Sequence, residues 1–190
     1  FSTVAIGGFS THDASIGYFN SATIETIAII FMLIAGVNFA LHFTVWRGVN
    51  PLIYLRDPEV QGFFKVLTAI SLIVAVVLIN TNHYPTVMEN IRHAIFHTVS
   101  IATTTGFATH SYDVWPGVIP TLLILASCVG GCAGSTAGGM KVIRAQLIRR
   151  QIQREVMQLI HPQAKLPVKL GGRTIQFRVM ASVMGFLAAY

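Results

Sequence analysis

Gly130-Gly131-Cys132-Ala133-Gly134-Ser135-Thr136-Ala137-Gly138-Gly139 places five glycines in ten positions, directly after the apolar run Val118 to Val129. That run of twelve residues reaches only about 18 Å as a helix, short of the roughly 30 Å hydrocarbon core of a bilayer. Each glycine disfavours helix by about 1 kcal/mol relative to alanine, so the helix is predicted to stop before it has crossed. The apolar and basic pattern resumes at Met140. Backbone left unpaired in lipid is too costly to persist, so such a loop must be covered by protein or line a water-filled path.

Composition puts the chain in lipid in the first place. Of its 190 residues 53% are hydrophobic and 11% charged, with a mean hydropathy of +0.64, where a soluble domain carries about 25% charged residues. The net charge of +6 would suggest nucleic acid in a soluble protein. Its distribution argues against that partner: twelve of the thirteen Lys and Arg lie in 47–65 and 141–178, and the segments between hold only Arg92. Basic residues flanking spanning helices stay on the cytoplasmic side, so both basic stretches are read as cytoplasmic. The chain opens on Phe1 without a basic leader, so no signal peptide is expected, and it reads as a fragment of a longer protein. Cys128 and Cys132 stand in an apolar helix end with no acidic or His ligands beside them, which suggests neither a disulfide framework nor a zinc site.

Working outward from the loop, Tyr18 to Trp46 reads as one span anchored by Trp46 and Arg47, and Phe63 to Asn80 as a second span returning to the outside. In Thr86 to Ala102, Val87, Ile91, Ile95, Phe96 and Val99 recur at helical spacing, with Glu89, Asn90, Arg92, His93 and His97 between them. This predicts an amphipathic helix of about 24 Å, re-entrant or lying on the surface rather than spanning. Gly8-Phe9-Ser10-Thr11-His12 matches Gly106-Phe107-Ala108-Thr109-His110 at an offset of 98 residues, and the same offset maps Ala35-Gly36 onto Ala133-Gly134. In that register the glycine loop corresponds to Met32 to Leu41, mid-membrane. The repeated unit is span, re-entrant helix, glycine-containing extended segment, span, which is the layout of a pore loop presenting backbone carbonyls to an ion.

Three segments carry a specific resemblance: Ser2-Thr-Val-Ala-Ile-Gly-Gly-Phe-Ser-Thr-His-Asp13, Ser100-Ile-Ala-Thr-Thr-Thr-Gly-Phe-Ala-Thr-His110, and Gly130-Gly-Cys-Ala-Gly-Ser-Thr-Ala-Gly-Gly-Met-Lys-Val-Ile-Arg144. Together they resemble the membrane subunit of bacterial Trk-type potassium uptake systems, of the Trk/Ktr/HKT superfamily. The resemblance implies an all-α integral membrane protein, with repeated helix, re-entrant pore loop and helix units around a pseudo-fourfold pore. It implies potassium uptake, symport included, through a carbonyl-lined filter formed here by Ile6, Gly7, Gly8, Phe9, Thr104, Thr105, Gly106 and Phe107. Gly8 and Gly106 are its aligned metal-binding glycines. A gate formed by Gly130, Gly131, Gly134, Ser135, Thr136, Gly138 and Gly139 is implied below it. One filter glycine in place of the two of potassium channels leaves discrimination against sodium open.

The division that follows is 1–46 as the end of the second repeat, 47–65 as a cytoplasmic loop, and 66–144 as the third repeat. A basic cytoplasmic helix and loop at 145–172 and the start of the fourth repeat at 173–190 complete it. Implied partners are the potassium ion as cargo with no organic cofactor, membrane lipid, a second copy in a homodimer, and a cytosolic nucleotide-binding regulatory subunit. The implied location is the bacterial inner membrane, multi-pass.

Several residues keep two readings at this stage. His12 and His110 are a cation vestibule or interfacial side chains; Asp13, Glu89 and Asp113 concentrate cations at the mouth or are solvated loop acids. Glu25, Asn38 and His42 lie in or near a span, where polar groups are functional by default. Arg92 is expected to pair with Glu89 three residues before it. Lys141, Arg144, Arg149, Arg150 and Arg154 on the helix leaving the gate region touch anionic lipid or couple the gate to a cytosolic partner. Enzymatic readings fail on spacing: no Gly-Lys-Ser/Thr follows the glycines, and Ala133 and Ala137 flank Ser135 where a G-x-S-x-G nucleophile needs glycine. The remaining alternative is a secondary transporter with a midplane site at a discontinuous helix.

Overall fold

The computed structural model describes residues 1–164 and 166–190, without the side chains of Arg173 and Phe177. A short 3-10 turn, Ser15–Phe19, precedes helix α1, Ala22–Gly36. Then follow α2 (Phe39–Gly48), α3 (Leu52–Arg56), α4 (Pro58–Asn80), α5 (Val87–Ala102), α6 (Ile119–Val129) and α7 (Val142–Ile160). A two-residue hairpin, β1 (Lys169–Leu170) with β2 (Arg173–Thr174), leads into α8 (Phe177–Ala189). Its turn, Gly171-Gly172, has φ of 55° and 79°, the positive pair that a two-residue type I′ turn demands.

Among the described residues only α4 is by itself long and apolar enough to cross a bilayer. Asp57 starts it: its Oδ1 accepts the N–H groups of Glu59 and Val60, each at 2.9 Å, and Pro58 at the first position lacks a donor that would be orphaned anyway. The second span therefore begins five residues before Phe63, and the expected cytoplasmic loop 47–65 holds the end of α2, all of α3 and the first turns of α4. α5 packs along α4 with Val74, Ala75, Leu78 and Ala94 buried between them and α6. Lipid is the natural solvent for the exposed Ile27, Ile30, Phe31 and Ile34 of α1 and Leu72, Ile73 and Val76 of α4.

Two expectations need correcting. The span read from Tyr18 to Trp46 is not one helix: α1 and α2 meet at a 95° bend. Val37 is extended there, and Asn38 caps α2 by accepting the Ala40 N–H at 2.8 Å. The freed carbonyls have partners. Ile34 O bonds His42 Nε2 at 2.8 Å, while Ala35 O and Gly36 O accept N–H groups from the glycine loop. The basic helix of the segment expected as helix and loop at 145–172 begins three residues earlier, at Val142, and runs to Ile160; Lys141 precedes it with φ of 76°. α8 packs on α7 through Leu147, Val168, Leu170, Met180 and Val183, with Arg144 over the Phe186 ring at 4.1 Å.

Candidate functional site

α5 is started by a capping box: Thr86 Oγ1 accepts the Glu89 N–H at 3.2 Å, and Glu89 Oε2 accepts the Thr86 N–H at 3.3 Å. Its other end stops at Ala102, directly before Thr103-Thr104-Thr105-Gly106. The negative end of the helix dipole is thus turned toward that segment, which favours a cation there.

The segments 1–9 and 99–107 have one backbone, a closing helical turn that opens into irregular chain. Ala5, Ile6 and Gly7 donate to the carbonyls of Phe1, Thr3 and Ser2; Thr103, Thr104 and Thr105 donate to Val99, Ile101 and Ser100, each 98 residues on. Ile6 and Gly8 have φ of 51° and 67°, and Thr104 and Gly106 have 63° and 84°. Ile and Thr are β-branched and rarely occupy this left-handed region, so two such residues at equivalent positions mark strain held by the surroundings, of order 1–3 kcal/mol each. Alternation in the sign of φ turns successive carbonyls, the geometry a row of backbone ligands needs.

Ser2 and Ser100 brace the two turns. Ser2 Oγ accepts the Phe9 N–H at 3.0 Å, and Ser100 Oγ donates to Phe107 O at 2.6 Å. Their role was hidden in the sequence, where they were two more small polar residues. The segments also touch: a Cβ built on Gly8 would overlap the carbonyl oxygen of Thr105. Phe107 is buried with Ala28, Met32 and Phe96, whereas Phe9 is exposed.

Below these segments lies the glycine loop. Thr136 Oγ1 donates to Val4 O at 3.1 Å and Ala35 O at 3.2 Å, and the Gly138 N–H donates to Thr104 Oγ1 at 2.7 Å. Its base closes on itself, since a Cβ on Gly130 would overlap Gly138 O and one on Gly139 would lie 2.7 Å from Ser127 O. The α1–α2 break is its floor: Cys132 N–H donates to Gly36 O at 2.9 Å, and Phe39 N–H to Gly134 O at 3.0 Å. Lys141 Nζ donates to Ala137 O, and Glu59 Oε1 accepts the Ala133 N–H at 2.6 Å. A broken backbone at this depth is thus paired with protein, as lipid requires. The two helix breaks, equivalent in the 98-residue register, meet face to face.

Other polar residues resolve differently. Arg92 does not pair with Glu89, which the capping box occupies; its Nε and Nη2 donate to Glu25 Oε2 and Oε1 at 2.7 and 2.8 Å. Glu25 is buried at 1% exposure, an ion-pair partner rather than an interfacial acid. His42 Nδ1 bonds the Tyr54 hydroxyl at 2.7 Å, so its ring is fully engaged in structure. His12 stacks on Tyr18 at 3.5 Å, while His110 lies 4.4 Å from the His93 ring, so the repeated His residues have unlike surroundings. Asp13, His110 and Asp113 line an outer cavity of 490 Å³. Beside it Trp115 Nε1 donates to the Tyr84 hydroxyl at 3.3 Å, and burial holds the Tyr84 phenol above its ordinary value. Among the described residues no group of three or more His, Cys, Asp or Glu could hold a metal.

The whole chain, residues 1–190, matches the family TrkH, described as cation transport protein. It is 51% identical over 190 residues to the Trk system potassium uptake protein TrkH of Halomonas elongata, covering 100% of this chain and 39% of that protein. The protein of the same name in Escherichia coli is 48% identical over 190 residues with the same coverage. The crystal structure of the potassium transporter TrkH from Vibrio parahaemolyticus superposes with a TM-score of 0.96 at 46% identity, covering 100% of this chain and 41% of that one. The chain therefore spans about two fifths of the length of the relatives it matches.

Proposed function

The chain belongs to the TrkH cation transport protein family, and from that membership we propose that it forms part of the potassium-translocating pore of a multi-pass membrane protein. Carbonyls of Ile6, Gly7, Gly8 and Phe9 and of Thr104, Thr105, Gly106 and Phe107 replace water around the ion, with Gly8 and Gly106 at the aligned positions. Gly130, Gly131, Gly134, Ser135, Thr136, Gly138 and Gly139 form the gate. The observation that carries this reading is the repeated backbone: the same three hydrogen bonds and the same pair of positive φ angles in both segments, directly above the loop. A direct repeat of that kind supports units arranged around one axis rather than a rocking transporter.

In this reading 1–46 ends one repeat, 66–144 is a complete one and 173–190 opens the next, with 47–65 and 145–172 facing the cytoplasm. Potassium is cargo, no covalent catalysis takes place, and neither an organic cofactor nor nucleic acid is needed. The whole protein works as a homodimer in the bacterial inner membrane, with a cytosolic nucleotide-binding subunit acting on the gate through the basic helix α7. The test is potassium and sodium flux into liposomes bearing the full-length protein, native and Gly106→Ser. A potassium preference that falls in the variant supports the filter; an unchanged ratio of the two fluxes refutes it.

A further inference from the structure

Glu59 stands in the first turn of α4 and is 7% exposed. Among the described residues no Lys, Arg or His forms a salt bridge with it. Lys141 acts on it only from beyond salt-bridge distance, and a buried carboxyl without a direct ion pair persists only where hydrogen bonds replace its water. Here one oxygen, Oε1, accepts two backbone donors from different elements: Ala133 in the glycine loop at 2.6 Å and Ile143 in the first turn of α7 at 3.3 Å. Next to it the Val142 N–H donates to Gly131 O at 3.0 Å, and Gln146 Nε2 donates to Pro58 O at 2.9 Å. The first turns of α4 and α7 and the near limb of the loop are therefore joined at one carboxylate. α4 packs on α5 more extensively than on α7, so α7 is the less firmly held of its two neighbours.

We propose that Glu59 is the positioning residue that couples the first turn of α7 to the glycine loop, so that a displacement of α7 along α4 releases the loop at Ala133. The coupling rests on the loop being the gate. It gives the basic helix a mechanical route to the pore: α7 cannot move away from Glu59 without loosening the bond shared with Ala133, and Gly131 is drawn by the Val142 N–H at the same time.

The test uses the full-length protein in liposomes with Glu59→Gln, Glu59→Asp and Glu59→Ala. It reads potassium flux in the absence of any cytosolic partner, together with the alkylation rate of Cys132, measured at that peptide by mass spectrometry. Cys132 is wholly buried and adjoins Ala133, so its labelling reports release of the loop. The Ala variant, and the Asp variant whose shorter arm cannot serve both donors, should raise both rates by about fivefold, the factor for one ordinary hydrogen bond. The Gln variant keeps a carbonyl oxygen at the same reach and should stay closest to the native protein. If Asp is native-like and Gln behaves as Ala, charge rather than position is what matters and the proposal is overturned. It is equally overturned if all three variants match the native protein while shortening the loop 130–139 raises flux. If shortening the loop leaves flux unchanged, the gate reading fails instead, and the coupling falls with it. Should the Ala variant not fold, the Gln and Asp pair decides by the same order.

Discussion

Gly8→Ala and Gly7→Ala add the same methyl group one residue apart, yet their costs should differ several-fold. At Gly7 the new Cβ would lie 3.3 Å from Phe9 Cδ2 and 3.4 Å from Ser2 Oγ, contacts that small side-chain adjustments absorb. The equivalent position 105 already carries threonine in the second segment. Gly8 has φ of 67° and its Cβ would overlap the Thr105 carbonyl oxygen, which belongs to backbone and cannot swing aside. A left-handed residue other than glycine costs about 1–2 kcal/mol, and overpacking against a fixed neighbour about 1–3 kcal/mol. Gly8→Ala should therefore lose about 2–5 kcal/mol, whereas Gly7→Ala should lose less than about 1 kcal/mol. Because the displaced group is a carbonyl of the adjacent segment, the damage should reach both. The assay is thermal unfolding of the purified full-length protein, paired with its potassium-to-sodium flux ratio. Gly8→Ala should show lower stability and lost preference, and Gly7→Ala neither. Indistinguishable behaviour of the two variants would refute the backbone-to-backbone contact between the segments.

The Arg92–Glu25 pair ties α5 to α1, with side chains 25% and 2% exposed. Removing either partner should destabilise by roughly 2–3 kcal/mol, below the cost for a fully buried pair because the arginine is partly wet. In a thermal-unfolding double-mutant cycle with Arg92→Gln and Glu25→Gln, coupling of about 1 kcal/mol or more is expected, and simple additivity would contradict the pairing. Thr136→Val removes the hydroxyl that reaches Val4 O and Ala35 O, at a cost of about 1 kcal/mol in loop closure. Potassium flux through the variant should rise about fivefold, and unchanged flux would mean that this hydroxyl does not restrain the loop.

Much of this architecture could be read directly from residues. The capping residue Thr86, the apolar spacing from Val87 to Val99 and the glycines after Val129 each impose local structure whatever the rest of the chain does, and α5, α6 and the loop form where they predict. The α1–α2 break has no such local cause. Within Ile27 to Leu41 only Gly36 and Asn38 interrupt an apolar run, and neither would end a helix in isolation. The break is held by distant partners, the Cys132 and Thr136 amides and the Gly134 carbonyl, together with the nearby His42 ring, and only the 98-residue register points to Met32–Leu41. Local spacing pairs Arg92 with the acid three residues away because it cannot weigh a partner 67 residues distant, and Glu89 is already engaged by its cap. Glu59 gave no signal at all. In Asp57-Pro58-Glu59 it is what any helix start offers, and its two donors lie 74 and 84 residues further on.

The most direct measurement of the central claim is the anomalous scattering of rubidium in crystals of the full-length protein, a potassium substitute that can be located without ambiguity. The account predicts a peak on the axis shared by the two segments, within coordination distance of carbonyl oxygens from Ile6 to Gly8 and from Thr104 to Gly106 and above the loop 130–139. A peak at side-chain oxygens in the outer cavity of Asp13 and Asp113, with none between the segments, would contradict it.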